Sequence, residues 1–100
     1  MIKKTAILTA SIFAAFTGCG NDTVKIGFIG PMSGEAARYG EFSSRAVQLA
    51  AEEKNAAGGI SGRKIEVIVK DDEALIEKGS GAMDKLTGSD KVYGIVGSVF

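Results

Sequence analysis

VKIGFIGPMSGEAARYG, residues 24–40, decides how the chain folds. Its first six residues, Val24–Ile29, are mostly β-branched or aromatic and predict a strand, with Gly27 leaving room for something packed closely on it. Gly30-Pro31 and Ser33-Gly34 then break the strand with pairs common in turns. Beyond Gly40 the pattern changes period: Phe42, Ala46, Leu49 and Ala50 recur at helical spacing, with Arg45, Gln48, Glu52 and Lys54 on other faces. An amphipathic helix over Glu41–Ala57 follows, stopped by Gly58-Gly59.

The rest of the chain repeats this alternation. ISGRK, residues 60–64, turns the chain into Ile65–Val69, which is apolar at four of five positions and so predicts a strand buried on both faces. Asp71-Asp72-Glu73 closes that strand and reads as a solvated end. A weaker helix is expected over Ala74–Leu86, where Gly79 and Gly81 each cost about 1 kcal/mol relative to alanine. Val92–Val96 supplies a third strand. The order β-α-β-α-β with short connections predicts an α/β fold, the start of a doubly wound parallel sheet built from right-handed crossovers. Ligands of such sheets bind outside the carboxyl ends of the strands, where the winding reverses. There the loop Gly30–Gly40, the acids Asp71–Glu73 and the tail Gly97–Phe100 converge.

Composition narrows the chemistry. The 12 Lys and Arg are scattered among 12 Asp and Glu with no basic stripe, which sets nucleic acid aside as a partner. With no histidine and one cysteine, neither a zinc site nor a His-dependent triad can be assembled, so no metal, no cofactor and no catalytic residue is expected. The loop also lacks both phosphate patterns, G-x-x-x-x-G-K-[ST] and G-x-G-x-x-G. It is left as either turn chemistry or a binding wall, with the helix start after it able to attract a carboxylate.

The first nineteen residues differ in kind. Lys3 and Lys4 precede an apolar run over Thr5–Thr17, the build of an export signal and short of the ~20 residues of a membrane span. Phe16-Thr17-Gly18-Cys19 resembles a bacterial lipobox, with Phe16 where leucine is more usual. The resemblance implies cleavage after residue 18, a lipid on Cys19 and a tether over residues 19–23; plain secretion is the other reading. Removal of residues 1–18 takes away two lysines and leaves a net charge of −2.

From Val24 to Phe100 the chain resembles the amino-terminal lobe of type I periplasmic solute-binding proteins that serve branched-chain amino acid ABC transporters. The residues carrying this are Gly30–Gly34 after the strand, Tyr39-Gly40, the run Asn55–Ile60 with Gly62-Arg63-Lys64 behind it, Asp71-Asp72, and Ile95-Val96-Gly97. The resemblance implies capture of a small ligand, an amino acid or similar, and a permease and a membrane as partners. It also implies that Tyr39 forms an aromatic wall and that Val99 and Phe100 make further ligand contacts. Arg38 and the three acids are expected to face solvent, and Met32 and Phe42 to pack. A lobe of three strands has a thin core and an open edge, so the expectation is a truncated part of a longer chain. A sensory domain of the same fold, for amides or other small molecules, is the alternative.

Overall fold

A computed structural model describes residues 23–97. In chain order its elements are β1 (Val24–Gly30), α1 (Ala37–Ala56), β2 (Ile65–Asp71), α2 (Ile76–Thr87) and β3 (Gly94–Val96). The sheet is parallel in the order β2-β1-β3. Seven rows join β1 to β2, from Val24–Ile65 to Gly30–Asp71, whereas three join β1 to β3, Ile26–Gly94 to Phe28–Val96. The expected α/β winding is therefore present, with β1 in the centre.

The two helices lie on opposite faces, as the alternation of β1 makes plain. A methyl placed on Gly27 would meet Leu86 of α2 at 2.8 Å, while one placed on Gly30 would point at the Phe28 ring and towards Gly40 of α1. Odd and even positions of one strand thus serve different layers. Gly27 does what its place in the sequence predicts: it lets Leu86, fully buried, rest directly on the backbone of the central strand. Phe28 and Val24 fill the α1 layer and Ile29 the α2 layer, all buried.

Several sequence expectations need correction. Helix α1 begins at Ala37, four residues before the expected Glu41, so Tyr39 and Gly40 are helical rather than in the loop. Its buried residues are Gly40, Ser44 and Ala51, with Val47 half-buried between them. Phe42 and Leu49 stand about half a turn round the helix and are exposed, so Phe42 is not a packing residue. Both stripes have helical spacing, and the small one wins because glycine, serine and alanine let the helix lie close to the sheet.

Strand β2 runs two residues past Val69 and its side chains are half-buried or exposed, not buried on both faces. It lies at a sheet edge, with β1 on one side only. Helix α2 starts at Ile76 rather than Ala74, and β3 at Gly94 rather than Val92. Lys91 at φ 52° precedes β3, and Val92 donates its amide to Leu86 O, so the chain is still turning there.

Asn55 ties α1 to the start of β2. Its Oδ1 accepts from Ile65 N at 2.7 Å and its Nδ2 donates to Ile65 O at 3.0 Å, so one side chain stands in for a strand neighbour. Between them, Ile60 and Arg63 exchange both backbone hydrogen bonds around Ser61 and Gly62, each at positive φ, a two-residue reversal that returns the chain to the sheet.

Candidate ligand-binding edge

The carboxyl ends of β1 and β2 meet in a network centred on Asp71. Its Oδ1 accepts from Met32 N at 2.8 Å, and its Oδ2 accepts from the Ser33 hydroxyl at 2.6 Å. Glu73 N also donates to Oδ1, at 2.8 Å. The Ser33 hydrogen bond, joined by the backbone amides of Met32, Glu73 and Ser33, holds the Asp71 carboxyl below the ordinary aspartate range against the opposing effect of burial. A depressed value means that these bonds are present at neutral pH and are released as pH falls through that lowered value.

Asp72 points the other way. Its side chain is buried, its Oδ1 accepts from Ala74 N at 2.8 Å, and its amide extends the β1 ladder to Gly30 O. Glu73 and Ala74 both hold left-handed backbone, at φ 51° and 57°, and each donates its amide to the aspartate two residues earlier. Such local bonds are what lets non-glycine residues rest in that region. The expectation of a solvated acidic end is therefore corrected: Asp71 binds the facing loop and Asp72 is buried, while Glu73 remains exposed and pairs with Lys78 at 3.6 Å.

The loop over residues 31–36 leads from β1 into α1. Pro31 is fully buried, and a methyl on Gly40 would collide with the Pro31 carbonyl. Only a residue without a side chain allows the helix to start so close to the loop. Ala36, at the helix cap, makes no side-chain cap bond, and no acid occupies the first turn, so the positive end of the α1 dipole has no carboxylate of its own there.

Tyr39 is in this first turn and 60% exposed, which places an aromatic ring at the carboxyl edge of the sheet. Arg38, beside it, is exposed, as expected, and Met32 is half-buried. On the α2 layer the same edge opens into a cavity of about 440 Å³, lined among others by Ile29, Asp72, Leu75, Met83, Ile95 and Gly97. Tyr39 is not part of that lining. The structure thus puts Tyr39 and the cavity on different layers of one edge. Cys19, Val99 and Phe100 lie outside the described residues.

Sequence reasoning missed Ser33 and Asp71 as partners. Neither segment alone marks the pair: Asp71 reaches this loop because it lies in register with Gly30, the last residue of β1, and on the α1 layer.

The sequence profile of the periplasmic binding protein family matches residues 23–100. The chain belongs to this family. Among curated relatives it is 36% identical over 95 residues to the Leu/Ile/Val-binding protein BraC3 of Rhizobium johnstonii, covering 95% of this chain and 25% of that protein. Among solved structures it is similar to the branched-chain amino acid transporter substrate-binding protein LivJ of Streptococcus pneumoniae, in complex with isoleucine. That match has 40% identity and a TM-score of 0.73, and covers 77% of this chain and 22% of that one. A solute-binding protein of Rhodopseudomonas palustris in complex with 3,4-dihydroxybenzoic acid matches with 37% identity and a TM-score of 0.64, over 75% of this chain and 20% of that one. The chain spans about a quarter of the length of the family members it matches. The doubly wound start seen here is that of the family's amino-terminal lobe.

Proposed function

We propose that the chain is the amino-terminal wall of an extracytoplasmic receptor that captures a branched-chain amino acid for uptake through an ABC transporter permease. The observation that carries this reading is the family match over residues 23–100, joined to an edge of matching architecture in which Tyr39 stands exposed at a helix start that has no side-chain cap. Isoleucine and 3,4-dihydroxybenzoic acid, the ligands of two similar proteins, both carry a carboxylate. A helix terminus with no acid of its own suits that group. In this reading Tyr39 walls the ligand's apolar part, and Val99 and Phe100 extend the wall after β3. The role is binding and delivery, without chemistry on the ligand.

The decisive experiment builds the two-sided site. Residues 24–97 replace the matching segment of the pneumococcal isoleucine-binding protein, and isoleucine binding is measured by calorimetry. The chimera is expected to bind isoleucine, and Tyr39→Ala within it to weaken binding about tenfold or more, the loss of one buried aromatic contact. A folded chimera that binds none of leucine, isoleucine or valine would overturn the reading.

The same proposal places the protein at the envelope, held by a lipid on Cys19 after removal of residues 1–18. Two signals are normally needed for stable anchoring, and the diacyl form of a processed lipobox cysteine supplies two chains at once. Mass spectrometry of the mature amino terminus is expected to find Cys19 as a lipid-modified first residue. An unmodified Cys19, or cleavage at another bond, removes the anchor from the proposal.

A further inference from the structure

Asp71 has no place in ligand capture as proposed above, yet it gathers bonds from two segments. Two of its donors, Met32 N and Ser33 Oγ, lie 39 and 38 residues away in the β1 loop, and the third is its own neighbour Glu73. An ionised carboxylate is an acceptor only, with room for all three donors at once. The consequence is that this loop, although rich in donors and placed at the ligand edge, offers Met32 N and Ser33 Oγ to the protein and not to a bound anion. The loop in turn lies against α1, because the Pro31 carbonyl and the Met32 sulfur face Gly40. Gly40 adjoins Tyr39.

We propose that Asp71 is a positioning residue for the ligand wall: it fixes Met32 and Ser33, and through the Pro31–Gly40 contact it fixes the first turn of α1 that presents Tyr39. The role assigned to Tyr39 rests on the solute-binding reading; the hold on the loop does not. Neighbouring acids do not share the task. Asp72 faces the α2 layer, and Glu73 is paired with Lys78. The strength of the Asp71 bonds follows from charge, since hydrogen bonds to an ionised group are shorter and stronger than neutral ones.

The test uses the full chain, labelled with ¹⁵N, and reads individual amides by NMR. In Asp71→Ala the Met32 amide is expected to exchange about tenfold faster or more, and the Tyr39 amide to shift, while Ile26 and Phe28 in the central strand keep their exchange rates. Asp71→Asn retains an oxygen for Met32 N and is expected to restore slow exchange there. It should also abolish the titration of the Met32 amide that is expected of the native chain below the ordinary aspartate range. A purely space-filling role for Asp71 gives no such titration to lose.

Should Asp71→Ala unfold the chain, Ser33→Ala removes the 2.6 Å bond alone from an exposed position and is expected to move that titration upward. Unchanged Met32 exchange in folded Asp71→Ala, a Tyr39 amide that stays put while the loop loosens, or an unmoved titration in Ser33→Ala overturns the proposal. In the isoleucine-binding chimera, Asp71→Ala is expected to weaken binding as well. A chimera without affinity removes the solute-binding reading and leaves the amide results to decide the hold on the loop.

Discussion

Truncating Leu86 to alanine is expected to cost about 2–5 kcal/mol of folding stability, at the upper end for a single aliphatic deletion. Leu86 is fully buried and rests on Gly27, a residue with no side chain that could swing into the space left behind. Neighbouring strands hold the β1 backbone on both sides, so that floor cannot rise either. The cavity therefore stays open, and its cost adds to the lost transfer energy of the side chain. Ile76→Ala in the same helix is the control. Ile76 is 92% exposed, and its truncation should change stability by about 0.5 kcal/mol or less. Urea unfolding followed by circular dichroism compares the two midpoints. Equal losses would mean that α2 does not dock through Leu86.

Gly40→Ala carries the second large effect, and its sign separates two physical accounts. Helix propensity alone predicts a gain of about 1 kcal/mol, since alanine replaces glycine inside a helix. Packing predicts the reverse, because the new methyl would collide with the Pro31 carbonyl, which is backbone and cannot rotate aside. Forcing an extra carbon into such a contact costs about 1–3 kcal/mol, and here the helix start or the loop must also move. The expected result is a net loss of stability, together with displacement of the Tyr39 and Met32 amide signals. A more stable Gly40→Ala chain with unmoved signals would reject the close approach of α1 to the loop.

How far the sequence could be read depended on which interactions were local. The order of elements was legible because strand composition, helical spacing and the Gly58-Gly59 stop are all properties of short windows. The family resemblance was legible for the same reason, since it rests on short clusters such as Gly30–Gly34, Asn55–Ile60 and Asp71-Asp72 taken in order.

Which side of α1 faces the sheet was not legible. Phe42, Ala46, Leu49 and Ala50 repeat as regularly as Gly40, Ser44, Val47 and Ala51, and periodicity cannot choose between two stripes. The choice is made by the sheet, where the small stripe lies buried and the large one meets solvent. The partnership of Asp71 with Ser33 was hidden for a related reason. It depends on the pairing of Gly30 with Asp71 across two strands, a fact about register that neither segment contains alone. Tyr39 was expected at the edge and is found there, in a helix rather than in the loop, because Gly40 allows the helix to begin early.

The paired acids at the end of β2 also set a limit on how this stretch of gene can vary. Adjacent residues of a strand point to opposite layers, so Asp71 reaches the loop before α1 while Asp72 turns towards α2. Substitution at either codon disturbs one layer. Loss or gain of a single codon between Ile65 and Asp71 would slip the register and send each acid to the other's layer, unhooking the loop and placing a different residue in the buried position. Length in this strand is thus under tighter constraint than identity, and deletion scanning should find β2 intolerant at positions where point changes are accepted.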